Sequence, residues 1–194
     1  MSSKKYLTPV AMKRCLVEKR KLDEESSEMN FVVHPVTNEG ENAYRVWDIF
    51  ILGYENTLYE GKVLHAQIEI PKNYPNNPPK MRFISKMYHP NVYEDGRICI
   101  SILTQNNDDV TGYIKTEDTW SPIQGFRTII LSVVSILNEP NCDSPANIEA
   151  GRSLREKPEE YANLVKSISS GESEKAEEKL RVLGLHSYLY SNKK

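Results

Sequence analysis

The stretch Tyr88-His89-Pro90-Asn91-Val92-Tyr93-Glu94-Asp95-Gly96-Arg97-Ile98-Cys99 sets a carboxamide and a thiol on opposite sides of a turn. Asp95-Gly96 is a strong turn signal, because Gly tolerates positive φ and an Asp side chain can bond to its own backbone. Such a turn presents Arg97 to Cys99 at a surface. Asn91 falls on the other arm, where its amide can donate to an oxyanion forming beside the sulfur. His89 is the only histidine nearby, and Pro90 restricts it to extended conformations. A Cys-His pair of the hydrolase type is therefore not indicated.

Upstream of this segment, residues 8 to 22 read as a helix. Thr8 is placed to cap it, Pro9 suits the first turn, and Ala11, Cys15 and Leu22 share one face. Strands are expected over 31 to 36, 44 to 52, 62 to 70 and 80 to 84, joined by short turns as an antiparallel meander. In the third, Leu64, Ala66, Ile68 and Ile70 alternate with Val63, His65, Gln67 and Glu69, the pattern of one buried and one solvated face. Pro71, Pro75, Pro78 and Pro79 make the next connection a stiff surface loop. Downstream, Phe126, Ile130, Val133 and Leu137 have helical spacing within residues 123 to 138, with Ile129 beside them. That helix is expected to be buried against the sheet and to stop at Pro140. Two more helices are expected over 147 to 158 and 159 to 169. Ser169-Ser170-Gly171-Glu172-Ser173-Glu174 then reads as a linker, followed by a terminal helix carrying Leu180, Val182, Leu183 and Leu185 that either packs on the domain or docks another protein.

A chain of 194 residues with 39% hydrophobic content fits one domain with a substantial core plus tails. The formal charge of -2 gives no global signal for nucleic acid, although Lys13, Arg14, Lys19, Arg20 and Lys21 make the first helix locally basic. Cys15, Cys99 and Cys142 form neither a disulfide framework nor, with four scattered histidines, a metal-ligand cluster, so free thiols in a reducing compartment and no metal or other cofactor are expected. No apolar stretch is long enough to cross a bilayer or to act as a signal core. A cytosolic or nuclear chain is expected, without direct membrane insertion.

The His89-Pro90-Asn91 run followed by Cys99 resembles the active-site signature of the ubiquitin-conjugating enzymes. Tyr74-Pro75 with Pro78-Pro79, Trp120-Ser121-Pro122 and Asn138-Glu139-Pro140-Asn141 agree in order and spacing. The resemblance covers roughly residues 6 to 168, taken as the core domain, and leaves 169 to 194 as linker and terminal helix. It implies an α/β (α+β) fold: a helix, a four-stranded antiparallel meander, then three helices. It also implies an acyl relay. Cys99 would accept ubiquitin's C-terminal carboxyl from an activating enzyme, with ATP consumed upstream, and a protein-substrate lysine would then attack the thioester. A thiolate leaves readily, so so sparse a site suffices.

By the same resemblance, two roles are open for Asn91, oxyanion donation and bracing of the active-site loop. His89 and Pro90 would be structural. Asp143, in the loop after the second helix, would orient the incoming lysine, although Ser144 stands where many members carry a second acid. Cys142 would be an inert loop thiol, or a redox partner of Cys99. The segment after Cys99 resembles the branch with an insertion there, the relatives of the ER-degradation and cell-cycle enzymes. Residues 105 to 118, with Asp108, Asp109, Glu117 and Asp118, have no strand or helix period and are read as an acidic loop guiding the acceptor ubiquitin. That branch builds polyubiquitin chains for degradation, and a partner could recruit the chain to the ER membrane. Lys13 and Arg14 would meet the activating enzyme. Asn76 and Asn77 with Pro122 and Ile123 would form the ligase platform: Asn76, in place of a larger apolar residue, disfavours HECT-type ligases, while Pro122 and Ile123 supply the apolar contact for a RING-type partner. The competing readings are conjugation of another ubiquitin-like modifier, or a noncatalytic variant of the fold.

Overall fold

A computed structural model describes residues 7–25, 29–36, 44–105 and 119–190. Helix α1 spans Pro9–Glu24; the Thr8 hydroxyl accepts the Ala11 N–H at 3.1 Å, and Ala11, Cys15 and Leu22 are buried. Strands β1 (Phe31–Pro35), β2 (Val46–Leu52), β3 (Val63–Glu69) and β4 (Lys80–Phe83) pair antiparallel in chain order. The register sets Ile49 opposite Val33 and Ala66, and Ile68 opposite Trp47 and Met81. After a 3-10 turn at Ser101–Leu103 come α2 (Phe126–Asn138), α3 (Ile148–Glu156), α4 (Pro158–Val182) and α5 (His186–Tyr190). The expected helix, meander and helices are all present in this order.

Trp47, Ile49, Ile51, Leu64, Ala66 and Ile68 meet Phe126, Ile129, Ile130 and Val133 of α2 on one face of the sheet, and this is the main core. The other face departs from the expected alternation. Val32, Phe50, Leu52 and Val63 are buried there beneath Ala176, Leu180 and Leu189. The layer that covers them is the C-terminal half of α4 together with α5.

The expected linker at 169 to 174 is therefore corrected: α4 runs through it without a break. Small side chains let the helix lie against β3. Ser169 and Ser173 are buried, and the Ser173 hydroxyl accepts the Val63 N–H at 2.8 Å. Ser169 and Ser170 donate their hydroxyls back to the Lys166 carbonyl, so neither competes with the helix for a turn. Gly184, at φ +68°, ends the helix, with the Leu185 N–H on the Leu180 carbonyl. Buried Asp48 ties the layer down: its carboxylate accepts from His65 at 2.7 Å, Gln67 at 3.0 Å and Lys179 of α4 at 2.8 Å. Leu180→Ala is expected to cost about 2–4 kcal/mol in chemical denaturation, the usual loss for a fully buried leucine. A helix tethered by a flexible linker would leave stability unchanged.

Candidate active site

Backbone bonds fold residues 91 to 99 into a narrow hairpin. The Cys99 N–H donates to the Asn91 carbonyl at 2.9 Å, the Tyr93 N–H to Arg97 at 2.9 Å, and the Gly96 N–H to Tyr93 at 2.9 Å. Asp95 closes the turn through the Arg97 N–H at 3.1 Å and the Arg97 guanidinium at 2.7 Å. Gly96 has no substitute: its φ is +85°, and a Cβ would lie 2.3 Å from the Phe83 carbonyl oxygen. The arm alternates, so Ile98 is buried and Cys99 is exposed. The structure thus sets thiol and amide on facing arms, as the turn chemistry predicts.

Asn91 is only 2% exposed, and its carboxamide is engaged at both ends. Nδ2 donates to the Asn141 carbonyl at 2.8 Å and Oδ1 accepts the Asn141 N–H at 2.9 Å, which clamps the hairpin to the segment after α2. One Nδ2 proton is left for an oxyanion. His89 is fully buried. Its Nδ1 accepts the Asn91 N–H at 3.0 Å, so Nε2 carries the proton and donates to the Ile136 carbonyl at 3.0 Å. With both ring nitrogens engaged, His89 is no general base.

Burial pushes the His89 imidazole down to about 4. The folded state therefore refuses a proton that the unfolded chain takes up near pH 6.5. Stability should fall as pH drops from about 6.5 to 4, by on the order of 3 kcal/mol. Asp48, held at about 2 against its burial by bonds from His65, Lys179 and Gln67, adds a separate loss between about pH 4 and 2. Denaturation at pH 7 and pH 4.5 measures the first limb, and His89→Gln should flatten it.

Cys99 opens into a groove of about 470 Å³ whose walls include Asn91, Ile100, Ser135, Glu139, Asn141 and Ser144. The Tyr93 phenol is pushed upward chiefly by negative charge on the Cys99 sulfur, and the Arg97 guanidinium lies 4.9 Å from its ring centre. An exposed tyrosine in a turn carries no sequence signal of its own, so the place of Tyr93 beside Cys99 emerges only from the fold. Asp143 does not line the groove; it is exposed, and its N–H donates to Asn141 Oδ1 at 3.0 Å. The neighbouring Ser144 does line it. Burial pushes the Cys15 thiol up to about 12, while Cys142 is half-buried, and all three thiols are free.

Lys13 is exposed on α1 beside Leu7, Pro9, Met12 and Leu16. Arg14, half-buried on the same helix, also has internal partners. Its guanidinium pairs with Glu18 and donates to the Gln124 carbonyl at 2.9 Å, so it fastens α1 to the loop before α2. Glu18 is the junction, accepting also from the Tyr74 hydroxyl at 2.7 Å and the Phe126 N–H at 2.8 Å. Asn76, Asn77, Pro122 and Ile123 lie on two adjoining loops joined by the Trp120 indole N–H, which donates to the Pro75 carbonyl at 2.7 Å. Ile123 is 85% exposed. Asp108, Asp109, Glu117 and Asp118 lie outside the described residues. No helix among the described residues is long and apolar enough to cross a membrane.

The family model "Ubiquitin-conjugating enzyme" matches residues 15–169. The human ubiquitin-conjugating enzyme E2 G2 is 41% identical over 158 residues, 81% of this chain and 93% of that protein. Ubiquitin-conjugating enzyme E2 7 of Arabidopsis thaliana is 47% identical over 119 residues, 61% of this chain and 72% of that protein. Ubiquitin-conjugating enzyme E2 15 of Schizosaccharomyces pombe is 44% identical over 122 residues, 63% and 73% of the two chains. With its helix, four-stranded meander and following helices, the chain belongs to the ubiquitin-conjugating enzyme family, transferases that work through a cysteine thioester between an activating enzyme and a ligase.

Proposed function

We propose that Cys99 is the thioester cysteine and that the protein builds polyubiquitin chains that mark substrates for degradation. The observation that carries the first part is the exposed thiol at the end of a rigid hairpin, beside a groove able to admit an amine. The Cys99 thiolate attacks the carbonyl of the ubiquitin–activating-enzyme thioester, and the donor thiolate leaves. A lysine amine then attacks the new thioester and expels the Cys99 thiolate, with the surplus proton passing to solvent. Asn91 acts chiefly by bracing, supported by its two bonds to Asn141. Lys13 and the apolar side chains beside it meet the activating enzyme. Asn76, Asn77, Pro122 and Ile123 form the ligase platform, for a RING-type partner that contacts exposed Ile123. The protein acts in cytoplasm or nucleus, where a partner can draw it to the ER membrane.

Incubation with ubiquitin, activating enzyme and ATP tests the reading: the expected product is a ubiquitin adduct lost on treatment with thiol. Absence of that adduct with ubiquitin, but its appearance with another modifier, would reassign the substrate.

Similarity to E2 G2 over 93% of that protein supports the branch with an acidic insertion. Deleting residues 106 to 117 with a Gly/Ser closure should leave charging of Cys99 intact and slow ubiquitin-to-ubiquitin transfer. Four carboxylates after the nucleophile steer a basic acceptor surface over about 8 Å, one Debye length at physiological salt. Neutralising Asp108, Asp109, Glu117 and Asp118 should reproduce part of the loss, less so at high salt. Equal transfer rates for deletion and wild type would reduce the loop to a spacer.

A further inference from the structure

Resting on Cys99 as the thioester site, we propose that Glu139 is a positioning residue that draws the acceptor amine's positive charge into the groove. Among the described residues lining that groove it is the only carboxylate; the remaining polar lining is hydroxyl, amide and the Cys99 thiol, and Ile100, Ile102 and Ile136 supply the apolar part. That composition suits a lysine, whose methylene stem lies along apolar surface while its head seeks an anion. Asp143, expected to guide the amine, stands outside this lining.

Three features fix Glu139 in place. Its N–H makes the last bond of α2, to the Ser135 carbonyl at 2.9 Å. Pro140 behind it excludes the helical conformation, and Glu139 has φ −126° and ψ 82°. The clamp between Asn91 and Asn141 then holds the chain two residues further on. Glu139 is exposed, and no hydrogen bond or ion pair with a described residue engages its carboxylate. It also sits where the carbonyl ends of a 13-residue helix concentrate partial negative charge, which favours a cation at the same point.

The chemistry sets the sign. As the amine lone pair forms the C–N bond and the carbonyl π pair moves to oxygen, the nitrogen becomes positive. A carboxylate in the groove draws in the arriving ammonium, which gives one proton to solvent to free its lone pair; the short-lived charge on nitrogen in the intermediate is common to every amine nucleophile and does not set the preference. Collapse of the intermediate expels the Cys99 thiolate and the nitrogen gives its proton to solvent, so Glu139 is neither consumed nor required as the final base.

Glu139→Gln keeps shape and removes charge. Ubiquitin-charged wild type and variant, with the activating enzyme stopped, are chased with free lysine and with hydroxylamine, an uncharged nucleophile, at low and high salt. Discharge to lysine at low salt should be about 5- to 10-fold slower in the variant, the scale of one near-surface charge pair. Wild type should lose that advantage as salt rises while the variant stays flat, and Glu139→Asp should recover part of it. Hydroxylamine discharge should differ by no more than about twofold between the two, since no charge needs attracting. Equal slowing toward both nucleophiles would place Glu139 on the ubiquitin side of the thioester or in the fold and overturn the proposal, as would unchanged or salt-insensitive lysine discharge. Failure of wild type to form a thiol-sensitive adduct would overturn instead the assignment of Cys99.

Discussion

Cys99→Ala is expected to abolish the thiol-sensitive ubiquitin adduct, and Cys99→Ser to replace it with an adduct that survives reductant. The serine hydroxyl can take up the acyl group only as an oxyester, whose alkoxide leaving group is far poorer than a thiolate. The other two cysteines supply the controls. Cys15 is fully buried in the core with its thiol pushed up to about 12, so it has neither access nor thiolate character, and Cys15→Ala should still charge. Cys142 is half-buried in the segment after α2, outside the groove lining, and Cys142→Ala should also charge. Gels with and without reductant read all four variants. A thiol-sensitive adduct on Cys99→Ala would move the nucleophile to another cysteine and dismantle the site described above.

The hairpin under Cys99 was legible because its determinants are local. Asp95 and Gly96 specify the turn whatever surrounds them, and Asn91 and Cys99 follow by counting along the arms. Helix α2 was legible for a related reason, since its apolar period needs only a sheet to bury against. The C-terminal layer was not legible at its start. Ser169, Ser170, Gly171 and Ser173 have the composition of a linker, and the burial of Ser169 and Ser173, with Ser173 bonded to Val63 of β3, depends on a strand a hundred residues earlier. A signal did exist in β2: Ile49-Phe50-Ile51-Leu52 is apolar on both faces, which marks a strand covered on both sides. Asp48, just before that run, called for a cationic partner, which Lys179 supplies from α4. Arg14 and Glu18 show the converse limit. On a basic helix an arginine reads as a partner contact, and only the approach of Tyr74, Gln124 and Phe126 turns the pair into an internal tie.

The covered sheet face constrains how this enzyme meets other proteins. A partner seeking Val32, Phe50, Leu52 or Val63 must first displace Ala176, Leu180 and Leu189 and leave buried Asp48 without Lys179. The Lys179 side chain is 38% exposed and Asp48 4%, so the loss falls on the buried carboxylate, which would keep only its bonds from His65 and Gln67. The proposed contacts with activating enzyme and ligase are expected instead on open surface, at Lys13 of α1 and at Ile123 in the loop that Arg14 ties to that helix.

Asn91→Ala distinguishes the two roles that the sequence leaves open. If the side chain acts chiefly as a clamp, its removal leaves the Asn141 N–H and carbonyl without their partner and should lower stability by about 1–3 kcal/mol. The hairpin itself should survive, because Cys99 is bonded to the Asn91 backbone rather than to its side chain. Charging, which needs the exposed thiol and α1, should then fall only modestly. Discharge to lysine should fall much further, by about 10²-fold, because the groove wall carrying Glu139, Asn141 and Ser144 loses its fixed position and a reacting pair held even 1 Å off reacts far more slowly. If the remaining Nδ2 proton were instead the principal oxyanion donor, discharge would fall by about 10²–10³ with the melting temperature unchanged. The two readings share a kinetic loss and part on stability, so melting and single-turnover discharge must be measured on the same preparation. Asn91→Asp sharpens the test: its carboxylate can still accept the Asn141 N–H but repels the Asn141 carbonyl, so a clamp is half lost. A variant that melts like wild type yet discharges slowly would return Asn91 to the oxyanion.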